Sequence, residues 1–403
     1  MTVTHFNRLA LCLSVCCASV GCGASTAELG PAATNQSASA RTSRPMQRLG
    51  SPPIQHVVII VQEARSFDNL FCSYPGADSV SCASRSHEIP LEAKCTISDT
   101  FEDFKRDLKS GKFSHEKAEC PGYQRPQYGT VPPAETKIYR TIAGSYVVGD
   151  HLFSSTGNPT FESHQYHIAA QADDALDQPF GKTPPDGCVY LAKVRQFSGP
   201  PQPACERYRT LADELDAAGL TWAYYAAGAS EPTWDAFGWV QGYSAGTTPP
   251  TQFLTDIASG RLSSVTWVTP ELRDSDLSGS RSATGPAWVA SVVNAVGKSQ
   301  YWNSTAIFIV WSGFGGWADH VPPPFMDREG LGFRVPLLVI SPYAKQSYVS
   351  HVQYETASLL RFAEDVYGLE PLAEADSRAT SPAADCFNFS QKPRPFTPFP
   401  TRY

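Results

Sequence analysis

The residues able to do chemistry are spread along the chain, and the first is a carboxylate. Glu63 follows the unbroken apolar run Val57-Val58-Ile59-Ile60-Val61, which is too short for a core helix and has no polar alternation. Such a run predicts a parallel strand buried on both faces. Open α/β sheets place their chemistry in the crevice outside the carboxyl ends of the strands, which is where Glu63 falls. Thr160 offers a hydroxyl at the start of a predicted helix, Phe161 to Gln171, behind the breakers Gly157 and Pro159. A helix start presents unpaired N–H groups and the positive end of a dipole, which suit an anion. The plainer role for Thr160 is to cap that helix.

Other elements must bring groups to Glu63. Ala306 to Trp311 reads as a second buried strand and Val335 to Ile340 as a third, with shorter ones at Trp222–Tyr225 and Val265–Val268. Helical spacing marks Tyr208 to Ala218, ended by Gly219, and also Trp288 to Val296 and Tyr354 to Tyr367. Strands alternating with helices predict an α/β fold, a mainly parallel central sheet with helices on both faces. Cys72 to Pro133 is irregular and rich in cysteine and proline. A loop of that length is stapled or functional, and residues 72–135 are expected to form a disulfide-tied cap insertion near the crevice. Phe387 to Tyr403, rich in Pro and Phe, is expected to run extended over the surface.

The chain has 403 residues, ample for a full core, and a net charge of −7, against the basic face of a nucleic-acid binder. Arg8 followed by apolar Leu9 to Gly21 reads as an export signal, residues 1–22, too short to span a bilayer. Ser19-Val20-Gly21-Cys22 also reads as a lipoprotein processing site, with Cys22 as a candidate lipid anchor; plain cleavage is the alternative. Residues 23–53 read as a flexible linker ahead of a domain spanning 54–403. No later stretch is apolar enough for a transmembrane helix. Of eleven cysteines, four lie in the leader. An oxidising compartment favours disulfides among the rest. Nearest-neighbour pairing gives Cys72–Cys82, Cys95–Cys120 and Cys188–Cys205 with Cys386 left over, although spacing alone does not fix connectivity.

Several stretches together resemble the bacterial phosphoesterase family, which includes phospholipase C-type enzymes and related acid phosphatases on an alkaline-phosphatase-like fold. They are Ile54–Phe71, Asp150–Gln171, Thr221–Tyr225, Val265–Pro270, Trp302–Pro324 and Phe333–Leu369. Trp317-Ala318-Asp319-His320-Val321-Pro322-Pro323-Pro324 and Tyr348-Val349-Ser350-His351 are the most specific. The resemblance implies an exported phosphoric-ester hydrolase acting on a small-molecule or lipid phosphate ester, with no nucleic-acid partner. It implies a hydroxyl nucleophile at Thr160, and a divalent metal as cofactor if the protein is active.

This chain departs from the family pattern at the metal. Glu63 matches a ligand, but Ala64 stands where Asn is expected, and Ser312 and Gly313 stand where two acidic residues are expected. Ser275-Asp276-Leu277 lacks the imidazole of a Ser-Asp-His motif. Hard divalent cations want about six oxygen ligands, and Glu63 alone leaves the site depleted. A threonine hydroxyl attacks phosphorus poorly without a metal or base. His320 and His351 are expected either to support a phosphate and its leaving group or to serve as structural histidines. His164, one turn after Thr160, is expected to touch whatever Thr160 touches. Arg65 is a candidate phosphate clamp or an ion-pair partner, and Asp68 a cap or a partner of Arg65. Tyr224, Tyr225 and Trp317 are candidates to line a pocket, or core. Two functions follow: a hydrolase, weakened or not, and a catalytically inactive relative that binds an anionic, phosphorylated ligand.

Overall fold

Strand β1 (His56–Gln62) lies inside an eight-stranded sheet, between two parallel neighbours. The computed structural model describes residues 52–113, 118–157, 160–182, 188–243 and 247–402. The expected leader, Cys22 and nearly all of the linker lie outside them, as do Asn158 and Pro159. After β1 come α1 (Phe67–Phe71), α2 (Phe101–Ser110), α3 (Lys137–Ser145), β2 (Val147–Phe153) and α4 (Thr160–Ala169). Strands β3 (Ala175–Phe180), β4 (Lys193–Gln196) and β5 (Gln202–Pro203) form a separate antiparallel sheet. Then follow α5 (Leu211–Ala217), β6 (Trp222–Tyr225), α6 (Pro250–Ala258), β7 (Val265–Val268), α7 (Gly285–Gly297), β8 (Thr305–Trp311) and β9 (Arg334–Ile340). Strands β10 (Tyr348–Ser350) and β11 (Tyr354–Glu355) and helices α8 (Ser358–Tyr367) and α9 (Glu374–Arg378) complete the order.

The main sheet runs β10-β2-β9-β8-β1-β7-β6, with β11 also on β2. Only β9 is antiparallel to its neighbours, so the sheet is mixed and mostly parallel. Every residue of β8 and β9 is buried, which requires cover on both faces. The carboxyl ends of β1, β7 and β8 therefore share one edge, and the amino end of β9 joins them.

The 72–135 stretch is more regular than its composition suggested. Thr100 and Asp103 form a capping box that starts α2, and Gly111 ends it in the left-handed region. Phe101, Phe104 and Phe113 pack with Phe314 and Phe333 into a second core. Disulfides join Cys72 to Cys82, Cys95 to Cys120 and Cys188 to Cys205, while Cys386 is free and buried. No helix among the described residues is long and apolar enough to cross a membrane.

Candidate active site

Glu63 is held in the first turn beyond β1 by its neighbours on the sheet. Gln62 donates through its amide to the Asp274 carbonyl at 3.0 Å and accepts from the Asp276 N–H at 3.0 Å, tying the loop after β7 to β1. Ala64 then adopts φ 44°, and Gly315 lies against it. A Cβ at Gly315 would come within 2.3 Å of the Ala64 carbonyl oxygen, so this approach of two loops needs glycine. The turn buries Glu63 completely.

Both carboxylate oxygens of Glu63 are engaged. His164 Nε2 lies 2.8 Å from Oε1, and the Ser312 hydroxyl donates to Oε2 at 2.7 Å. Ser163, next to His164 on α4, donates to the Ser312 carbonyl. Helix α4 is thus fixed to the ends of β1 and β8, and its first residue, Thr160, stands one turn before His164. Two further carboxyls feel Glu63. Asp99, from the stretch before α2, is pushed up to about 6, first by burial and then by the charges of Asp103 and Glu63. Glu231 is raised by burial and by Glu63.

The cap stretch presses directly on this crevice. A Cβ on Gly316 would meet Ile97 at 2.4 Å and the Ser98 carbonyl at 2.8 Å, and a Cβ on Gly157 would overlap the Phe104 ring. Arg65 donates to the Asp276 carbonyl at 2.6 Å and to Asn69 at 3.2 Å, and its guanidinium lies 4.7 Å from the Trp317 ring. Trp317 is accordingly buried against Arg65. Tyr224 and Tyr225 instead line a cavity of about 360 Å³ with Trp222, Phe237 and Tyr243.

His320 and His351 are drawn into a second centre, with no hydrogen bond to Glu63 or Thr160 among the described residues. His320 Nδ1 lies 2.9 Å from Asp68, and its Nε2 lies 3.0 Å from Asp78. His151 Nε2 reaches the other oxygen of Asp78 at 3.4 Å. His151 and His351 both turn Nδ1 to the buried carboxylate of Asp150, at 2.7 and 2.8 Å. Asp68 does not pair with Arg65, contrary to expectation. Its oxygens go to Arg85, His320 and Arg334, because α1 turns it towards the amino end of β9.

The family model for the phosphoesterase family matches residues 54–370. The chain belongs to the phosphoesterase family. Phospholipase C A and phospholipase C B of Mycobacterium tuberculosis are 21% and 23% identical to it, each over 86% of this chain and over 79% and 80% of their own lengths. A solved protein of the alkaline phosphatase superfamily from Vibrio parahaemolyticus matches 81% of this chain and 72% of its own, at 11% identity and a TM-score of 0.39, too distant to add to the argument. Family membership and two groups of aspartate and histidine side chains are consistent with use of a divalent ion. Those groups are Asp150, His151 and His351, and Asp68, Asp319 and His320; Glu63 belongs to neither.

Sequence reasoning missed Ser163, Asp78, Asp150 and His151 as partners and Asp99 as a neighbour. One signal was legible: Asp150-His151 interrupts an otherwise apolar strand, and a buried carboxylate there needs partners.

Proposed function

We propose that this chain is an exported phosphoric-ester hydrolase of the phospholipase C or acid phosphatase type, weakened at its inherited metal position. Family membership supports the reaction class, and the relatives' activity supports a lipid or small-molecule phosphate ester as substrate. The observation that carries the reading is the link from Glu63 through His164 to the helix of Thr160. In this reading it would bring a hydroxyl, an imidazole and a carboxylate to one crevice, with the amino end of α4 offered to an incoming anion.

In this reading the Thr160 hydroxyl is the nucleophile. Its oxygen bonds to phosphorus as the ester P–O bond breaks, its proton passes to a base, and the leaving oxygen takes a proton from solvent or an acid; water then bonds to phosphorus as the Thr160 O–P bond breaks, and the hydroxyl regains a proton. Arg65 gives Nε to Asp276 and Nη1 to Asn69, so its other guanidinium N–H groups would have to meet the phosphate. His320 and His351 would act on the leaving group only by approaching from the neighbouring centre.

The residues at the inherited metal position fit a divalent ion poorly. Ala64, Ser312 and Gly313 offer no carboxylate, and the two oxygens of Glu63 already accept from His164 and Ser312. No step is routed through a metal there. Asp99 and Glu231 add negative potential but make no group of three donors with Glu63 among the described residues.

The test is hydrolysis of p-nitrophenyl phosphate and bis-p-nitrophenyl phosphate, with and without added divalent ions. Turnover abolished by Thr160→Ala supports the hydrolase. Background rates in every metal, unchanged by Thr160→Ala, reject it. The engaged state of Glu63 favours a second reading, an inactive relative that holds a phosphorylated ligand. Calorimetry with inorganic phosphate tests that reading, and heat lost in Thr160→Ala or His164→Ala supports it.

A further inference from the structure

The two aspartate–histidine groups look alike by composition, and their electrostatics separates them. In Asp68–Asp319–His320 the positive charge is already supplied. Arg334 donates to Asp319 at 2.7 Å and lies 3.4 Å from Asp68, and Arg85 lies 2.6 Å from Asp68. That group is a salt-bridge network with no need of an ion.

Asp150–His151–His351 is different. Among the described residues the ion-pair partners of the Asp150 carboxylate are the two imidazoles, and no lysine or arginine reaches it. Arg334 donates only to its main-chain oxygen, at 2.8 Å. The carboxylate is wholly buried and also accepts from the Asp78 N–H at 2.7 Å. The two rings come from separate segments, β2 and the turn after β10, yet both present Nδ1 to the same carboxylate. Asp78 lies 3.4 Å from the far nitrogen of His151, near where the outer carboxylate of a histidine–metal site would stand. The side chain of His351 is 59% exposed, which leaves an approach from solvent.

We propose that Asp150, His151 Nδ1 and His351 Nδ1 bind a divalent transition-metal ion of the zinc type, with the fourth position open to water or an anionic ligand. One ligand atom from each of the three residues lies within 4.8 Å of the other two. Zinc–nitrogen bonds of about 2.0 Å in a tetrahedral site need donors roughly 3.3 Å apart. Each Nδ1 now sits 2.7 or 2.8 Å from the carboxylate, closer than that, so an ion enters as the rings draw back by about 0.5 Å, a shift the exposed His351 ring has room to make. Two imidazoles and one carboxylate with an open position is the ligand count of a reactive rather than a purely structural zinc site. This centre is separate from Glu63 and Thr160, so it stands or falls independently of the hydrolase reading.

The experiment is a zinc titration of the full mature chain by calorimetry, with cobalt(II) absorption to report geometry. The result expected is one equivalent of zinc and visible cobalt bands of a four- or five-coordinate ion, with affinity falling about 10-fold or more in His151→Ala and in His351→Ala. His351→Gln guards against misfolding, since glutamine can still donate to Asp150 but brings no imidazole, and zinc affinity should fall in it as in His351→Ala. Glu63→Gln should bind zinc as the parent does. No stoichiometric zinc, or zinc bound equally well by both histidine variants, would overturn the proposal. Zinc lost in Glu63→Gln but kept in both histidine variants would place the ion in the crevice and overturn it equally.

Discussion

His164 Nε2 lies 2.8 Å from Glu63 Oε1, and neither side chain is exposed beyond 1%. The bond joins the second turn of α4 to the end of β1, so the position of Thr160 depends on a carboxylate 97 residues earlier in the chain (160 minus 63).

That contact should be expensive to break. His164→Ala leaves a buried carboxylate with Ser312 as its remaining side-chain donor. We expect a loss of about 2–4 kcal/mol, against roughly 1 kcal/mol for Ser312→Ala. Denaturant unfolding with the disulfides intact measures both. A His164→Ala loss no larger than that of Ser312→Ala would mean that Glu63 is not relying on the imidazole.

Restoring acid at 312 and 313 should make folding depend on metal. Space exists at Gly313, where a Cβ would meet nothing within 4 Å. At 312 a carboxylate would face Glu63 in place of a donor. The triple variant A64N/S312D/G313D should therefore be less stable than the parent in chelator. A divalent ion at 100 times its Kd should return about 2.7 kcal/mol. Unfolding with chelator and with manganese or magnesium gives the comparison, and equal stability in both would count against an ion site at Glu63.

The Asp68–His320 pair should stabilise most in mildly acidic solution. Burial alone would push Asp68 above 3.8, but His320, Arg334 and Arg85 hold it below. Its contribution is present above 3.8 and lost as pH falls through the lowered value. The bond to Asp68 raises His320 above 6.5, so its contribution is present below 6.5 and lost as pH rises through the raised value. Since His320 is 35% exposed, solvent limits the effect to about 1 kcal/mol. His320→Asn should cost more stability at pH 5 than at pH 9, and the His320 ring should titrate above 6.5 by NMR. An equal cost at both pH values would dismiss the charge pair.

Arg334 should be among the least replaceable residues outside the crevice. It is fully buried, donates to Asp319 and to the main-chain oxygens of Asp78 and Asp150, and lies against Asp68. Arg334→Met strands the buried Asp319 carboxylate and leaves Asp68 to Arg85 and His320, at a cost of about 3–5 kcal/mol. Equilibrium unfolding checks this, and a loss below 1 kcal/mol would mean that the carboxylates take up protons or water instead.

The sheet was legible because its strands are short β-branched runs whose burial writes itself into the sequence. Val57 to Val61, Ala306 to Trp311 and Val335 to Ile340 all lie in strands of the main sheet. Strand β2 was not resolved as a strand, since Gly149, Asp150 and His151 interrupt its apolar run. Helix α2 hid among cysteines and prolines, although Thr100 and Asp103 spell a capping box. The departures at Ala64, Ser312 and Gly313 could be read directly. That Ser312 now donates to Glu63 could not, because hydrogen-bond partners 249 residues apart leave no local pattern. The link between His151 and His351 through Asp150 escaped for the same reason.

The seating of Phe104 on Gly157 has a mechanical consequence. A Cβ at Gly157 would come within 2.1 Å of the Phe104 ring, which lies in the excursion tied by Cys95–Cys120. A bulkier residue at 157 would have to push that ring off Phe314 and Phe333, so a change at one backbone position would be felt throughout the second core.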